Sequence, residues 1–308
     1  MRNMITSFFI LAAGLIAFDA AYGEDANKKK ILTIGRATEN VVRQQRKIEP
    51  IIQYLASRLK DTGIERGDVV LAGDKKYSTL SRLVKEGKMD IILESPFKAV
   101  FLTRDGAAFP ILTLSRKGVC KYNSIIFARK DGGINSIEDL RGKTIAFEDP
   151  ASNSSYFMPK FMLKAQGLDM VKLPSFNSAP QKDKVGYVFA GTELNVSSWV
   201  FYKRVAAGAL SNLDWLTPED VPETYKTRFK IIWESPMMIE FLVLIRKGLD
   251  ERLTERIKEE LLMMDKTEEG RKALRAYEFD RFIDSPEKID KLIAYIEGLI
   301  KLSGEEMH

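Results

Sequence analysis

Thr144-Ile145-Ala146-Phe147-Glu148-Asp149-Pro150-Ala151-Ser152-Asn153-Ser154-Ser155-Tyr156-Phe157-Met158-Pro159 is the stretch that decides the fold. A short apolar strand, Ile145 to Phe147, meets Asp149-Pro150, which stops it. Four small or polar residues then open a helix carrying Met158, Phe161 and Met162. The first amides of such a helix have no intrahelical acceptor, and the positive end of the helix dipole lies behind them. With Ser152, Asn153, Ser154 and Ser155 adding side-chain donors, the segment reads as an anion socket. The same residues also read as an ordinary polar N-cap.

Outward from the socket, strands and helices alternate in the α/β manner. Residues 31–35 form a strand, and Val41, Ile48, Ile52, Leu55 and Leu59 recur at helical spacing before a second strand at 69–72. Residues 77–86 make a helix with Leu80, Leu83 and Val84 inward, and 89–93 a third strand. Because ligands of open α/β sheets sit beyond strand carboxyl ends, residues 36–38, 74–77 and 94–96 are pocket candidates by position, with Tyr77, Glu94 and Ser95 among them. Further on, 124–129 reads as a strand, 136–140 as a helix, 182–190 as a helix ending at Gly191, and 193–200 as a strand. Residues 251–264, 268–277 and 286–302 read as helices. The extended stretches 124–129 and 241–246 bracket the middle third, as two strands crossing between two lobes would. The expected division is residues 24–126 with 239–308 in one lobe and 127–238 in the other.

Arg2, a short apolar run over residues 5–18 and the small-x-small triplet Ala21-Tyr22-Gly23 read as a cleaved secretory signal peptide, residues 1–23, leaving a periplasmic mature chain. Lys and Arg exceed Asp and Glu by 5 in 308 residues, but the charges are mixed along helices rather than gathered into a nucleic-acid stripe. The sole histidine, His308, is the last residue, and Cys120 is the sole cysteine. A His-based triad, a His-rich metal site, a thiolate cluster and an intrachain disulfide are therefore excluded. No GxxxxGK[ST] and no strand-borne GxGxxG occurs. Neither catalytic residues nor a cofactor or metal is expected, and binding is the better class.

Several segments together carry a resemblance: residues 122–131, 134–144 and 149–156, then Lys75-Lys76-Tyr77, Gly87-Lys88-Met89-Asp90-Ile91 with Ser95-Pro96 beyond it, Trp233-Glu234-Ser235-Pro236 and Thr267-Glu268-Glu269-Gly270. In this order and spacing the chain resembles the phosphate/phosphite/phosphonate-type periplasmic substrate-binding proteins of ABC transporters, over essentially its whole mature length. The resemblance implies a two-lobed Venus-flytrap α/β fold with crossing hinge strands, closing on a small oxyanion. It implies that the helix start, Ser-Thr-Ser-Gly in the family and Ser152, Asn153, Ser154, Ser155 here, grips the phosphorus oxygens, and that Tyr77 and Tyr122 line the site.

Where relatives commonly carry a His the count falls on Gln181, and where they carry an acidic residue it falls nearest Asn195. Neutral amides at both places predict binding with little pH dependence between about 5 and 8. Trp199, with Phe201 and Tyr202, narrows the pocket in this reading. The implied partners are a small anionic ligand and an ABC permease, with the receptor monomeric. A periplasmic sensor or adaptor reporting to a membrane-bound signalling protein uses the same hinge and is the second reading.

Overall fold

The computed structural model describes residues 30–303 apart from 39, 75, 117, 119–121 and 151. The expected signal peptide, Cys120 and His308 lie outside the described residues. No helix among those described is long and apolar enough to cross a membrane.

Twelve strands are described, in two mixed sheets of six. The first contains β1 (Ile31–Ala37), β2 (Arg66–Ala72), β3 (Ile91–Glu94) and β4 (Ala108–Arg116). The second contains β5 (Ser124–Arg129), β6 (Thr144–Phe147), β7 (Met170–Lys172), β8 (Val185–Phe189), β9 (Ala207–Ser211) and β10 (Phe229–Glu234). The chain then returns to the first sheet with β11 (Leu242–Arg246) and β12 (Phe279–Ile283). The orders are β12-β4-β11-β3-β1-β2 and β10-β5-β9-β6-β8-β7. In each sheet the strands nearest one edge are parallel and the others antiparallel.

Central strands such as β3 and β6 are buried at every residue, as strands covered on both faces must be. Gly35 of β1 is required by a close approach: a Cβ there would meet the Val70 carbonyl oxygen at 1.7 Å. The helix Val41–Arg58 lays Ile48, Ile51, Ile52 and Leu55 on one core, its start capped by the Asn40 side chain.

The sheet memberships correct the expected crossings. Residues 124–129 lie wholly in the second sheet, and 242–246, of the expected 241–246, in the first. The chain passes between sheets just before Ser124 and between Glu234 and Leu242, and there Tyr122 and Met238 form an antiparallel bridge through bonds of 2.9 and 2.6 Å. The change of sheet thus falls before residue 124, ahead of the expected lobe division after 126. An apolar run does not reveal which sheet will recruit it.

A second correction concerns residues 182–201, where helix and strand are exchanged. Residues 185–189 are β8, and Glu193–Phe201 is a helix whose start is capped by the Thr192 side chain on the Asn195 amide. Val196, Ser197 and Val200 form its buried face, whereas Val185 and Gly186 are buried from both sides of a sheet. The expected helix at 136–140 shrinks to one 3₁₀ turn, Glu138–Leu140.

The helix Met158–Ala165 that follows the socket does not pack on its own sheet alone. Met158 and Phe161 belong to a core shared with Phe97 and with Ile289, Leu292, Ile296 and Ile300 of the carboxy-terminal helix Pro286–Ser303. Phe161 stacks on Phe97 at 5.3 Å between centroids, and Phe157 does so at 5.7 Å. The two halves are thus joined by an aromatic stack as well as by two chain crossings.

Candidate functional site

A cleft of ≈ 530 Å³ lies between the sheets, with residues of both lining it. The carboxyl ends of β1, β3, β6 and β9 reach it through Arg36, Ser95, Glu148 and Ser211 at or just past the strand ends, which is where open α/β sheets hold ligands. Another concavity of ≈ 550 Å³ on the second half, lined by Phe176 and Arg204 among others, has a single half as its wall and lies toward the amino-terminal ends of β6 and β9.

The first wall is held by a buried ionic frame. Glu94, with no exposed surface, accepts from the Ala37 amide at 2.7 Å and the Ser95 amide at 3.1 Å and lies 3.5 Å from Lys98 Nζ. It fastens the end of β1 to the start of the helix Pro96–Arg104, behind the cleft surface, while Ser95 lines the cleft. Arg36 donates to the Tyr277 hydroxyl and stands 5.1 Å over the Phe241 ring. Arg116 pairs with Glu240, and both line the cleft. Burial raises the Glu240 carboxyl above its usual range, against the pull of Arg116.

Tyr122 stands at the crossing, 5 % exposed. Its hydroxyl accepts from Asn153 Nδ2 at 2.9 Å, and burial pushes the phenol pKa up.

In the second wall most of the expected socket bonds to itself. Ser152 Oγ accepts from the Ser155 amide at 3.1 Å. Ser155, 1 % exposed, accepts from the Glu148 amide at 2.8 Å and donates to the Ala209 carbonyl, so it is structural. Asn153 and Ser154 line the cleft, and Asn153 Oδ1 is buried without a partner. The rest of the wall is acidic: Glu148, Glu193, Asp214 and Asp220. Burial first, then the neighbouring Glu193, pushes Glu148 up to about 8. Burial, Glu193 and Asp214 push Asp220 up to about 6. Asp214 is raised by burial although the Ser211 amide and hydroxyl donate to it at 2.9 and 2.7 Å. No group of His, Cys, Asp and Glu among the described residues is placed to hold a metal ion.

The structure thus brings Ser95, Tyr122, Asn153 and Ser154 together, with Ser152 and Ser155 bracing the same helix start. It does not bring the others. Tyr77 turns away, donating to the Phe101 carbonyl at 2.8 Å and meeting that ring edge-on. Gln181 is exposed ahead of β8, at the opposite end of the parallel strands from the cleft. Asn195 is exposed in the first turn of its helix, Nδ2 donating to the Ala190 carbonyl at 2.8 Å. Trp199 packs against Phe176 at 4.9 Å, on the far side of that helix from the cleft-lining Glu193. Glu193, two residues before Asn195, lines the cleft. Arg36 fell within the position-based candidates. Glu148, Arg116, Asp214, Asp220 and Glu240 did not, although the adjacency of Glu148 to the Asp149-Pro150 strand stop was a usable signal.

Comparison with known proteins gives a family match over residues 37–288, to the periplasmic substrate-binding proteins of phosphonate ABC transporters. The phosphonates-binding periplasmic protein of Escherichia coli is 30% identical over 168 residues, 53% of this chain and 46% of that protein. The phosphate-import protein PhnD of Mycolicibacterium smegmatis is 25% identical over 215 residues, 68% of this chain and 64% of that one. The chain therefore spans roughly half to two thirds of the length of these relatives. Among solved structures, XAC2383 from Xanthomonas citri bound to chloride superposes with a TM-score of 0.79 at 25% identity, covering 89% of this chain and 99% of that one.

Proposed function

The chain belongs to the phosphonate family of periplasmic substrate-binding proteins of ABC transporters, and on that premise we propose that it captures a small phosphonate- or phosphate-like solute between its two halves and presents it to an ABC permease. The observation that carries the reading is the cleft itself: a polar space with both sheets as its walls and Tyr122, which bridges to Met238 where the chain crosses, in its lining. A site divided between two bodies is completed only when they approach, so solute binding shifts the population toward the closed form and creates a surface that the open form lacks. The similar Xanthomonas citri protein has been solved with chloride and with ATP, both anions, which favours a ligand bearing an anionic group. Export through residues 1–23 and cleavage near Gly23 complete the proposal.

A thermal-shift panel tests it, using phosphate, phosphite, alkyl- and aminoalkylphosphonates, sulfate and small carboxylates. A solute at a hundredfold excess over its Kd stabilises the folded form by about 2.7 kcal/mol, a rise of several degrees. A flat response to every compound at millimolar concentration would reject the solute-receptor reading.

A further inference from the structure

The second half carries acids at its cleft end and cations at the other end of the same sheet. The concavity of ≈ 550 Å³ toward the amino-terminal ends of β6 and β9 is lined by Arg129, Lys143, Lys203 and Arg204 and by a single carboxylate, Asp131. Four cations against one acid leave three positive charges over. Asp131 is already occupied: Arg129 donates to it through Nε at 2.7 Å and Nη2 at 2.8 Å, and Lys203 Nζ stands 3.3 Å away. The Arg129 hydrogen bond above all, with Lys203 behind it, holds the Asp131 carboxyl well below the usual carboxylate range.

The other two cations have no carboxylate. Lys143, exposed just ahead of β6, and Arg204, ahead of β9, make no ion pair among the described residues. Arg204 is fixed by a ring instead, its guanidinium 5.2 Å over Phe176, which in turn packs on Trp199 at 4.9 Å. A cation oriented by an aromatic face keeps its charge uncompensated. Lys203 adds a backbone observation: its φ is +60°, in the left-handed region where glycine is the ordinary residue, at the turn from the helix Glu193–Phe201 toward β9. A lysine there forgoes that ease and sets a charge on the groove. Uncompensated like charges lining one concavity build a local positive potential that draws in anions.

We infer that this groove is a second binding site, separate from the cleft, for a multivalent oxyanion of the pyrophosphate kind. Arg204 offers a planar fork to a pair of oxygens, while Lys143 and Lys203 offer compact charges that meet oxygens in many orientations. Cations drawn from the approaches to two different strands suit an anion whose charge is spread over more than one phosphoryl group. All the walls belong to the second half, so the site is present whether the cleft is open or closed, and binding there needs no movement of one half against the other.

Calorimetric titration of the full chain with pyrophosphate, and with tripolyphosphate to represent the phosphoryl groups of a longer chain, tests this. Saturable binding that weakens as salt is raised is expected; tighter binding of tripolyphosphate marks a chain as the source, and equal binding the free ion. Lys143→Gln and Arg204→Gln are each expected to lose about tenfold in affinity, the scale of one charge-assisted contact. Lys203→Gly is expected to melt no lower than wild type, because glycine takes the left-handed turn freely and the exposed pair with Asp131 adds little, yet to bind at least about threefold more weakly. Arg204 also rests on Phe176, so Lys143→Gln is the safeguard, and the melting temperature of each variant establishes that it is folded. Hydrogen–deuterium exchange locates the site: pyrophosphate is expected to protect peptides covering residues 142–144 and 203–206 and to leave 34–37 and 94–96 unchanged. Binding that all three variants leave within about twofold of wild type, or no heat from either probe at millimolar concentration, overturns the inference. The solute-receptor reading rests on the cleft and stands or falls apart from it.

Discussion

Replacing Glu148 by Gln keeps the shape of the side chain and its acceptor for the Ser152 hydroxyl but removes the proton that the folded state retains. The Glu148 carboxyl is pushed up to about 8 from 4.5, so the native state holds a proton that the unfolded state releases. Between those values the unfolded chain binds fewer protons, and wild-type stability must therefore fall as pH rises through that window. At about 1.36 kcal/mol per unit, the group can contribute at most about 2.5 kcal/mol between about pH 5 and pH 7. The adjacent Glu193 shares the titration, which reduces the expected figure to about 1–2 kcal/mol. Urea denaturation of wild type and Glu148→Gln across that range checks it: the variant should gain about 1–2 kcal/mol on wild type at about pH 7 relative to about pH 5. A variant that loses ground as pH rises would mean that Glu148 is ionised and satisfied in the fold, and the account of an acid-crowded second wall would be wrong.

Phe161→Ala removes a ring that is 1 % exposed and stacked on Phe97, and should cost about 3–5 kcal/mol in denaturant unfolding, since this stack joins the two halves. Glu94→Ala strips two backbone amides of their acceptor and leaves the buried Lys98 ammonium without its partner, for an expected loss of about 3–5 kcal/mol measured the same way. Gln181→Ala, on the exposed loop before β8, should leave solute affinity in titration calorimetry within about twofold of wild type.

The strand-stop-helix sequence at residues 144–165 was legible because Pro150, the serine cluster and the apolar spacing of Met158, Phe161 and Met162 all point the same way. The α/β class followed from the same kind of agreement along the chain. The exchange of helix and strand over 182–201 shows where that agreement failed. Val185-Gly186-Tyr187-Val188-Phe189 has the composition of a strand, but the Gly191 stop drew the reading toward a helix. In fact Gly191, at φ +83°, turns the chain from β8 into the next helix. That exchange displaced the site assignments after it. With β8 in place, the cleft-facing acid is Glu193 rather than Asn195, and Gln181 moves to the opposite end of the sheet.

Unrecognised strands hid the rest. Asp214 and Asp220 follow β9, and Arg116 ends β4, and neither strand was identified from the sequence. The expectation of weak pH dependence rested on the amides of Gln181 and Asn195. With Glu148 at about 8 and Asp220 at about 6 in the cleft instead, it gives way to a titratable site. Side chains that line one cleft from segments a hundred residues apart, as Arg36 and Glu148 do, leave no local pattern to read.

Hydrogen–deuterium exchange with and without the strongest stabiliser from the thermal-shift panel tests the central claim most directly, because it reports both walls at once. Capture between the halves predicts added protection in peptides covering residues 34–37 and 94–96 of the first wall together with 148–155 and 211–220 of the second. Protection confined to one wall, or centred on the groove around Phe176 and Arg204, would contradict it.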